Sequence, residues 1–206
     1  ISVLAMNKQI TYVNEKDLGY KRENLIVIPL EDMDLSSLSV LKEKLLRNPN
    51  VISVSSSYKL PNSQPNMCNF RVETESGFEE QLFNWSVVSP GYFKTMGIPM
   101  AEGRSFTKDI AADANSSYIV NESFLKHYGW TTAVDRRMQI INGGYFKWPE
   151  GKIIGVIKDF HIASLHEEIE PMIFVMLPGG YLHLRINEAN SSQTLAEIED
   201  VWYSMN

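Results

Sequence analysis

At 206 residues, with 44% hydrophobic and 21% charged side chains, the chain is long enough to bury a substantial core and too apolar for disorder to dominate. The net charge is −6 and the lysines and arginines are scattered rather than gathered in a stripe, so nucleic acid is not an expected partner. A single cysteine, Cys68, allows neither an internal disulfide nor a thiolate metal site and is expected to be a small apolar filler.

No apolar run reaches the roughly 18 residues that suggest a membrane span. The start, Ile1-Ser2-Val3-Leu4-Ala5-Met6, has no initiator methionine and is apolar from its first residue. It lacks the basic leader and small-residue cleavage site of a signal peptide, so it is expected to be the stub of something longer. Gln9-Ile10-Thr11-Tyr12-Val13 and a polar turn region over residues 14–22 follow.

Leu25-Ile26-Val27-Ile28-Pro29-Leu30 is a compact branched run that predicts a buried strand, with Pro29 near its end where a lost ladder bond matters least. Asp34 or Ser36 can cap a helix whose Leu38, Leu41 and Leu45 form one stripe, and Asn48-Pro49-Asn50 stops it. Over residues 51–58, alternation puts Ile52, Val54, Ser56 and Tyr58 on one strand face. Residues 25–58 thus predict a β-α-β unit.

Residues 60–67, with Pro61 and Pro65, predict a loop and a subdomain boundary. Strand-like residues 69–74 and 81–88 flank Glu75-Ser76-Gly77 as a hairpin. A short helix over 92–96, a turn at Gly103-Arg104, a strand over 117–120, and a helix over 123–128 ended by Gly129 follow. Strands are expected over 138–141 and 153–157, then a hairpin of 171–176 and 181–186 around Pro178-Gly179-Gly180. A last helix over 192–203 carries Leu195, Ile198 and Trp202 on one face. Strands plus one amphipathic helix at each end, with a strand-rich excursion between, predict an α+β sheet domain carrying an insertion.

Chemistry finds little support in the residue spacing. His161, His166, Glu167, Glu168 and Glu170 are zinc-ligand types, but the histidines are five apart rather than the four that place two rings on one helix face. Asp159 beside His161 could orient a general base, yet no serine sits in a G-x-S-x-G elbow, so Asp159 is expected to accept backbone N–H bonds at its turn. Gly151-Lys152 is followed by Ile153 and lacks the hydroxyl of a phosphate loop. Asp32 and Asp34 lack the rest of a calcium loop and are read as helix-start charge. Tyr145, Phe146 and Trp148 either meet a partner or lipid surface or fold inward. Four N-x-[ST] sequons, at Asn84, Asn115, Asn121 and Asn190, do not decide the compartment. No catalytic, metal, cofactor or ligand-binding residue is assigned, and no enzyme activity or cofactor is expected.

Gln9-Ile10-Thr11-Tyr12-Val13, Lys16-Asp17-Leu18-Gly19-Tyr20, Glu23-Asn24-Leu25-Ile26-Val27-Ile28-Pro29-Leu30 and Asn48-Pro49-Asn50-Val51-Ile52-Ser53-Val54-Ser55 open a series of motifs. It continues through Pro90-Gly91-Tyr92-Phe93, Met96-Gly97-Ile98, Glu102-Gly103-Arg104-Ser105-Phe106 and Ile119-Val120-Asn121-Glu122. It ends with Gly155-Val156-Ile157-Lys158-Asp159-Phe160-His161, followed by Ser164-Leu165-His166 and Ile169-Glu170-Pro171. In this order, over nearly the whole chain, they resemble the extracytoplasmic (periplasmic core) domain of MacB/FtsX-family ABC transporter permeases, in the variant of Bacteroidetes-like bacteria.

That resemblance implies an α+β fold with a porter-like β-α-β sheet subdomain, residues 1–60 and 152–206, interrupted by a strand-rich, sabre-like lobe, residues 61–151. It implies a location in the periplasm, hung from the cell (inner) membrane by flanking helices outside this chain. The partners it implies are a cytoplasmic ABC ATPase and a second permease copy forming a dimer, and the role it implies is coupling ATP hydrolysis to export or mechanotransmission. A free-standing extracytoplasmic binding protein, or a hydrolase using Asp159 and His161, are the alternatives.

Overall fold

The computed structural model describes residues 19–30, 35–60, 63–64, 66–141, 148–161, 168–188 and 191–205. The expectations placed on residues 1–18, Asp32, Asp34, Pro61, Pro65, Tyr145, Phe146, residues 142–144, Ser164, Leu165, His166 and Glu167 lie outside the described residues.

Ten strands are joined in one hydrogen-bonded sheet, and two regions of it have different geometry. The first is a three-stranded layer. Strands β1 (Leu25–Pro29) and β2 (Val51–Ser57) both run antiparallel to β10 (Tyr181–Ile186), which lies between them. Helix α1 (Leu35–Leu46) connects β1 to β2, so the expected β-α-β unit is present but split by β10. Leu38, Leu41 and Leu45 are buried as their spacing predicts, and they pack with Leu182, Leu184 and Ile198 of helix α4 (Ser191–Tyr203).

In the second region the pairing closes on itself. The hairpin β3 (Asn66–Thr74) and β4 (Gly77–Val88) is joined by β7 (Arg137–Ile140), β8 (Gly151–Ile157), β6 (Ser117–Asn121) and β9 (Met172–Met176), and β9 returns to pair with β4. Closure of a six-membered ring leaves none of these strands with two free edges. Phe70, Val72, Phe83, Tyr118, Met138 and Ile153 lie in the core of this barrel, and Cys68 is buried there too. Strand β5 (Met100–Gly103) lies outside the ring, paired with β8. Helix α2 (Tyr92–Met96) follows β4, and helix α3 (Glu122–Tyr128) follows β6.

Between β5 and β6 the chain makes an excursion containing a 3₁₀ turn (Ala111–Ala114). The fully buried Asp113 carboxylate anchors it, accepting two bonds from Arg104 at 2.6 and 2.8 Å, one from the Thr107 amide and one from the Ser117 hydroxyl. Four donors satisfy a charge that would otherwise be expensive to bury.

Several sequence expectations change. Residues 172–176 and 181–186 do not form a hairpin: β9 pairs with β4 and β6, and β10 with β1 and β2. Strand β1 is a half-buried edge strand rather than a buried one. The four residues placed on one face by alternation differ in burial: Ser56 is buried, whereas Ile52 and Tyr58 are 57% and 51% exposed. Beyond residue 152, β8 and β9 hydrogen-bond to barrel strands and β10 pairs within the three-stranded layer.

Candidate functional site at the joint of sheet and barrel

Motifs that lie far apart in the chain meet at the end of β8. Gly155 stands opposite Gly103 on β5, and the Arg104 amide donates to Ile154 O at 3.0 Å. A Cβ on Gly155 would lie 2.4 Å from Arg104 O, which is why the glycine is needed where two backbones cross. The Lys158 amide donates to Pro99 O at 2.9 Å, just beyond the Met96-Gly97-Ile98 motif. Phe160 stands edge-on to Tyr20, with ring centroids 6.2 Å apart.

Asp159 does what its turn position suggested, with a partner that spacing could not identify. Its carboxylate accepts the Ser123 amide at 2.8 Å, the Ser123 hydroxyl at 2.9 Å and the Lys126 ammonium at 2.7 Å, so it sits on the first turn of α3, where negative charge is favoured. In return, Glu122 accepts the Asp159 amide and pairs with Lys158. Asn121 caps α3, its Oδ1 accepting from the Phe124 amide at 3.2 Å and from the Met172 amide at 2.9 Å, while its Nδ2 donates to Glu170 O at 2.9 Å. A single buried side chain therefore ties β6, α3 and β9 together.

The partners of the Asp159 carboxylate are thus Ser123 and Lys126, and His161 is half-buried nearby. Glu170 is exposed and its carboxylate accepts from Asn84. Among the described residues no three His, Cys, Asp or Glu side chains converge as metal ligands. Trp148 turns inward, packed in the barrel core.

The joint between the two regions is narrow. Strands β2 and β4 share one ladder pair, Ser57 with Val88, extended by the Ser89 amide donating to Ser56 O and the Tyr58 amide to Val87 O. Side chains reinforce it. Lys42, from α1, donates to Ser56 Oγ and Ser89 Oγ, both at 3.2 Å, and Ser89 Oγ also accepts the Ser56 amide at 2.7 Å. Burial pushes the Lys42 amine down to about 8.

On the opposite face of the layer, Ser57 Oγ lies 2.7 Å from His183 Nε2 and donates to Lys59 O at 2.6 Å. The hydroxyl has one proton, so with Lys59 as its acceptor the imidazole donates from Nε2 and Nδ1 keeps a bare lone pair. That Nδ1 has no partner, and burial, assisted by the Lys42 charge, pushes His183 down to about 4. The ring is fully buried and neutral at ordinary pH. Tyr92 of α2 packs edge-on to His183 at 5.4 Å, and burial raises its hydroxyl.

Sequence reasoning passed over Lys42, Ser89 and His183. A signal for His183 existed: in Leu182-His183-Leu184-Arg185-Ile186, period-2 alternation separates His183 and Arg185 from the leucines. The binding-protein alternative calls for a deep apolar pocket. The cavity between α1 and α4 holds about 270 Å³ and is open, with Leu45, Pro49 and Ile198 beside the charged Lys44 and Glu197.

No protein-family model matches the chain, and no curated protein sequence does. Solved structures match. The periplasmic region of MacB from Actinobacillus actinomycetemcomitans is similar with a TM-score of 0.62 at 13% identity, over 93% of this chain and 88% of that one. The chain has the fold of the MacB periplasmic region. The extracellular domain of the noncanonic ABC-type transporter YknZ from Gram-positive bacteria is similar at a TM-score of 0.53 and 14% identity, over 87% of this chain and 91% of that one. A domain of a permease protein from Porphyromonas gingivalis reaches 0.51 at 14% identity, over 77% and 72%. The MacB-like fold is thus mixed α+β, with the ten-stranded sheet and four α-helices among the described residues. No helix among those residues is long and apolar enough to cross a membrane.

Proposed function

We propose that the chain is the extracytoplasmic domain of an ABC transporter permease and that it transmits motion rather than performing chemistry. The observation that carries this reading is the MacB-like fold over almost the whole chain, joined to the convergence of the resemblance motifs on one mechanical joint. The domain stands in the periplasm, tethered to the cell membrane by helices outside this chain. A cytoplasmic ATPase drives it, and a second permease copy faces it. Nucleotide-dependent rearrangement of the membrane part biases two arrangements of the paired domains, and export or mechanotransmission follows from that bias.

The division into moving units belongs to the same proposal. Hydrogen bonding favours units of the three-stranded layer with α1 and α4 against the barrel, which would draw the second boundary near Leu177 rather than at residue 152.

The test needs no knowledge of the cargo. A spin label at Glu80→Cys, exposed on the barrel, in the intact permease reconstituted with its ATPase, should show label-to-label coupling between copies and a change of distance between nucleotide-free and ATP-trapped states. Absence of coupling removes the dimer, and an unchanged distance removes the transmission. An intact gene without apolar spans of about 20 residues flanking the domain removes the permease reading itself.

A further inference from the structure

Before β1, residues 19–24 run across both regions of the fold. At one end, Gly19 lies against Asp159 and Phe160, so close that a Cβ there would be 2.7 Å from Asp159 O, and Tyr20 meets the Phe160 ring. At the other end, the Ile186 amide donates to Asn24 O at 3.0 Å, and β1 begins its ladder with Leu25 opposite Arg185. Between these ends the segment passes the last turn of α2. The Lys21 amide donates to Met96 O at 2.8 Å, and the Lys21 stem fills the space where a Gly97 side chain would be, a Cβ there lying 2.8 Å from Lys21 Cγ.

Arg185 sits in the middle of this crossing. Its Nε donates to Thr95 O at 2.7 Å, one Nη to Glu23 O at 2.7 Å and the other to Lys21 O at 2.8 Å. The first of these bonds completes the set of partners for α2's final carbonyls: Phe93 O receives the Ile98 amide, Lys94 O the Gly97 amide, Thr95 O Arg185, and Met96 O the Lys21 amide. A helix C-terminus with its carbonyls unmet attracts a cation, and the flat guanidinium fork reaches three acceptors in fixed directions, which an ammonium cannot do.

We propose that Arg185 is the positioning residue that fastens residues 19–24 and helix α2 to the three-stranded layer as one unit, so that displacement of the chain before Gly19 is delivered to α2 and the barrel. This deepens the transmission reading and rests on it for its consequence, while the fastening itself belongs to the isolated chain. Among the described residues the layer and barrel share one ladder pair, reinforced by Lys42 and by Tyr92 against His183, and a side chain joining the leading segment, α2 and β10 adds a further route between them.

Amide hydrogen exchange on the purified chain tests the fastening, with Arg185→Lys keeping the charge and Arg185→Met removing it. Both variants should speed exchange at the Lys21 amide at least tenfold while the buried amides of Val120 and Ile157 keep their protection. The wild type should show a slowly exchanging Arg185 Nε–H coupled to the Thr95 carbonyl, a signal available even if both variants fold poorly. Wild-type protection at Lys21 in either folded variant, or absence of the Nε–H coupling, overturns the proposal. In the intact permease, the nucleotide-dependent distance change at a Glu80→Cys label should shrink in Arg185→Lys. A full-sized change in that variant rejects the coupling role of Arg185 alone, whereas no change in the wild type rejects the transmission reading instead.

Discussion

The Lys42 ammonium lies 3.2 Å from the Ser89 hydroxyl, and through that bond helix α1 reaches the residue at which the chain leaves β4. The apolar stripe of α1, by contrast, packs in a cluster with residues of the three-stranded layer and α4. Lys42 therefore spans the joint, and its amine is held where burial disfavours charge.

This makes stability depend on pH in the alkaline direction. The folded chain releases the Lys42 proton near pH 8, while the unfolded chain holds it up to about 10.5. Between those values the unfolded state binds more protons, so stability rises with pH, by up to about 3 kcal/mol. Above pH 10 the trend reverses, because burial raises Tyr92, Tyr118 and Tyr128 and the unfolded chain loses those protons first. Urea unfolding at pH 7, 8, 9 and 10 should show the rise in the wild type and a flat response in Lys42→Met. Parallel curves in the two proteins would assign the rise to other groups.

His183 acts on the acid side. Its folded value is depressed to about 4 from 6.5, so as pH falls from 6.5 the unfolded chain takes up a proton that the folded ring refuses. Stability drops through that window by about 3 kcal/mol and levels near pH 4. His183→Gln keeps a donor for Ser57 and should flatten the change between pH 6.5 and 4.5. If the melting temperature of that variant falls with pH as steeply as the wild type's, the ring is not the cause.

Asn121 serves three segments from a buried position. Asn121→Ala leaves the Phe124 and Met172 amides without an acceptor and should destabilise by about 2–4 kcal/mol. Asn121→Asp keeps the acceptor for both amides, although it sets an oxygen against Glu170 O at a buried position, and should be milder than Asn121→Ala if the acceptor role dominates. Chemical denaturation of the pair reads the difference, and equal losses would show that the acceptor role is not the dominant one.

Gly179 is the tightest point of the turn before β10. A Cβ there would stand 1.9 Å from the Ser57 carbonyl carbon and 2.2 Å from Tyr58 N, both backbone, whereas at Gly180 the nearest atom is Tyr58 O at 3.7 Å. Gly179→Ala should therefore cost about 2 kcal/mol or more by forcing β2 away from the turn. Gly180→Ala should be near neutral. Indistinguishable melting temperatures for the two would refute the close approach.

Local elements were largely legible. The α1 stripe, the α2 helix over residues 92–96, the β3–β4 hairpin and the α3 helix ending at Gly129 appear where periodicity and turn residues put them. The misreadings share a cause. Ile52 shares a face with Val54 by alternation, yet it is exposed, because the pairing register shifts between Arg185 and Ile186, so that Val51 stands opposite Ile186 in the buried cluster and Ile52 is the extra residue. Residues 172–176 and 181–186 look like a hairpin around Pro178-Gly179-Gly180, but β9 closes the barrel against β4 and β6 before the chain turns away.

By itself the sequence determined the helices, the strands, the glycine turns and the order of motifs that resembles a permease domain, because those depend on residues within a turn or two of one another. Which strands pair, and that Asp159 meets the first turn of α3, Lys42 reaches Ser89 and Arg185 clasps residues 21, 23 and 95, was decided only in three dimensions. These bonds join residues separated by tens of positions. Backbone carbonyls, hydroxyls and amides on any segment offer the same acceptors, so only the packed arrangement of layer and barrel selects among them.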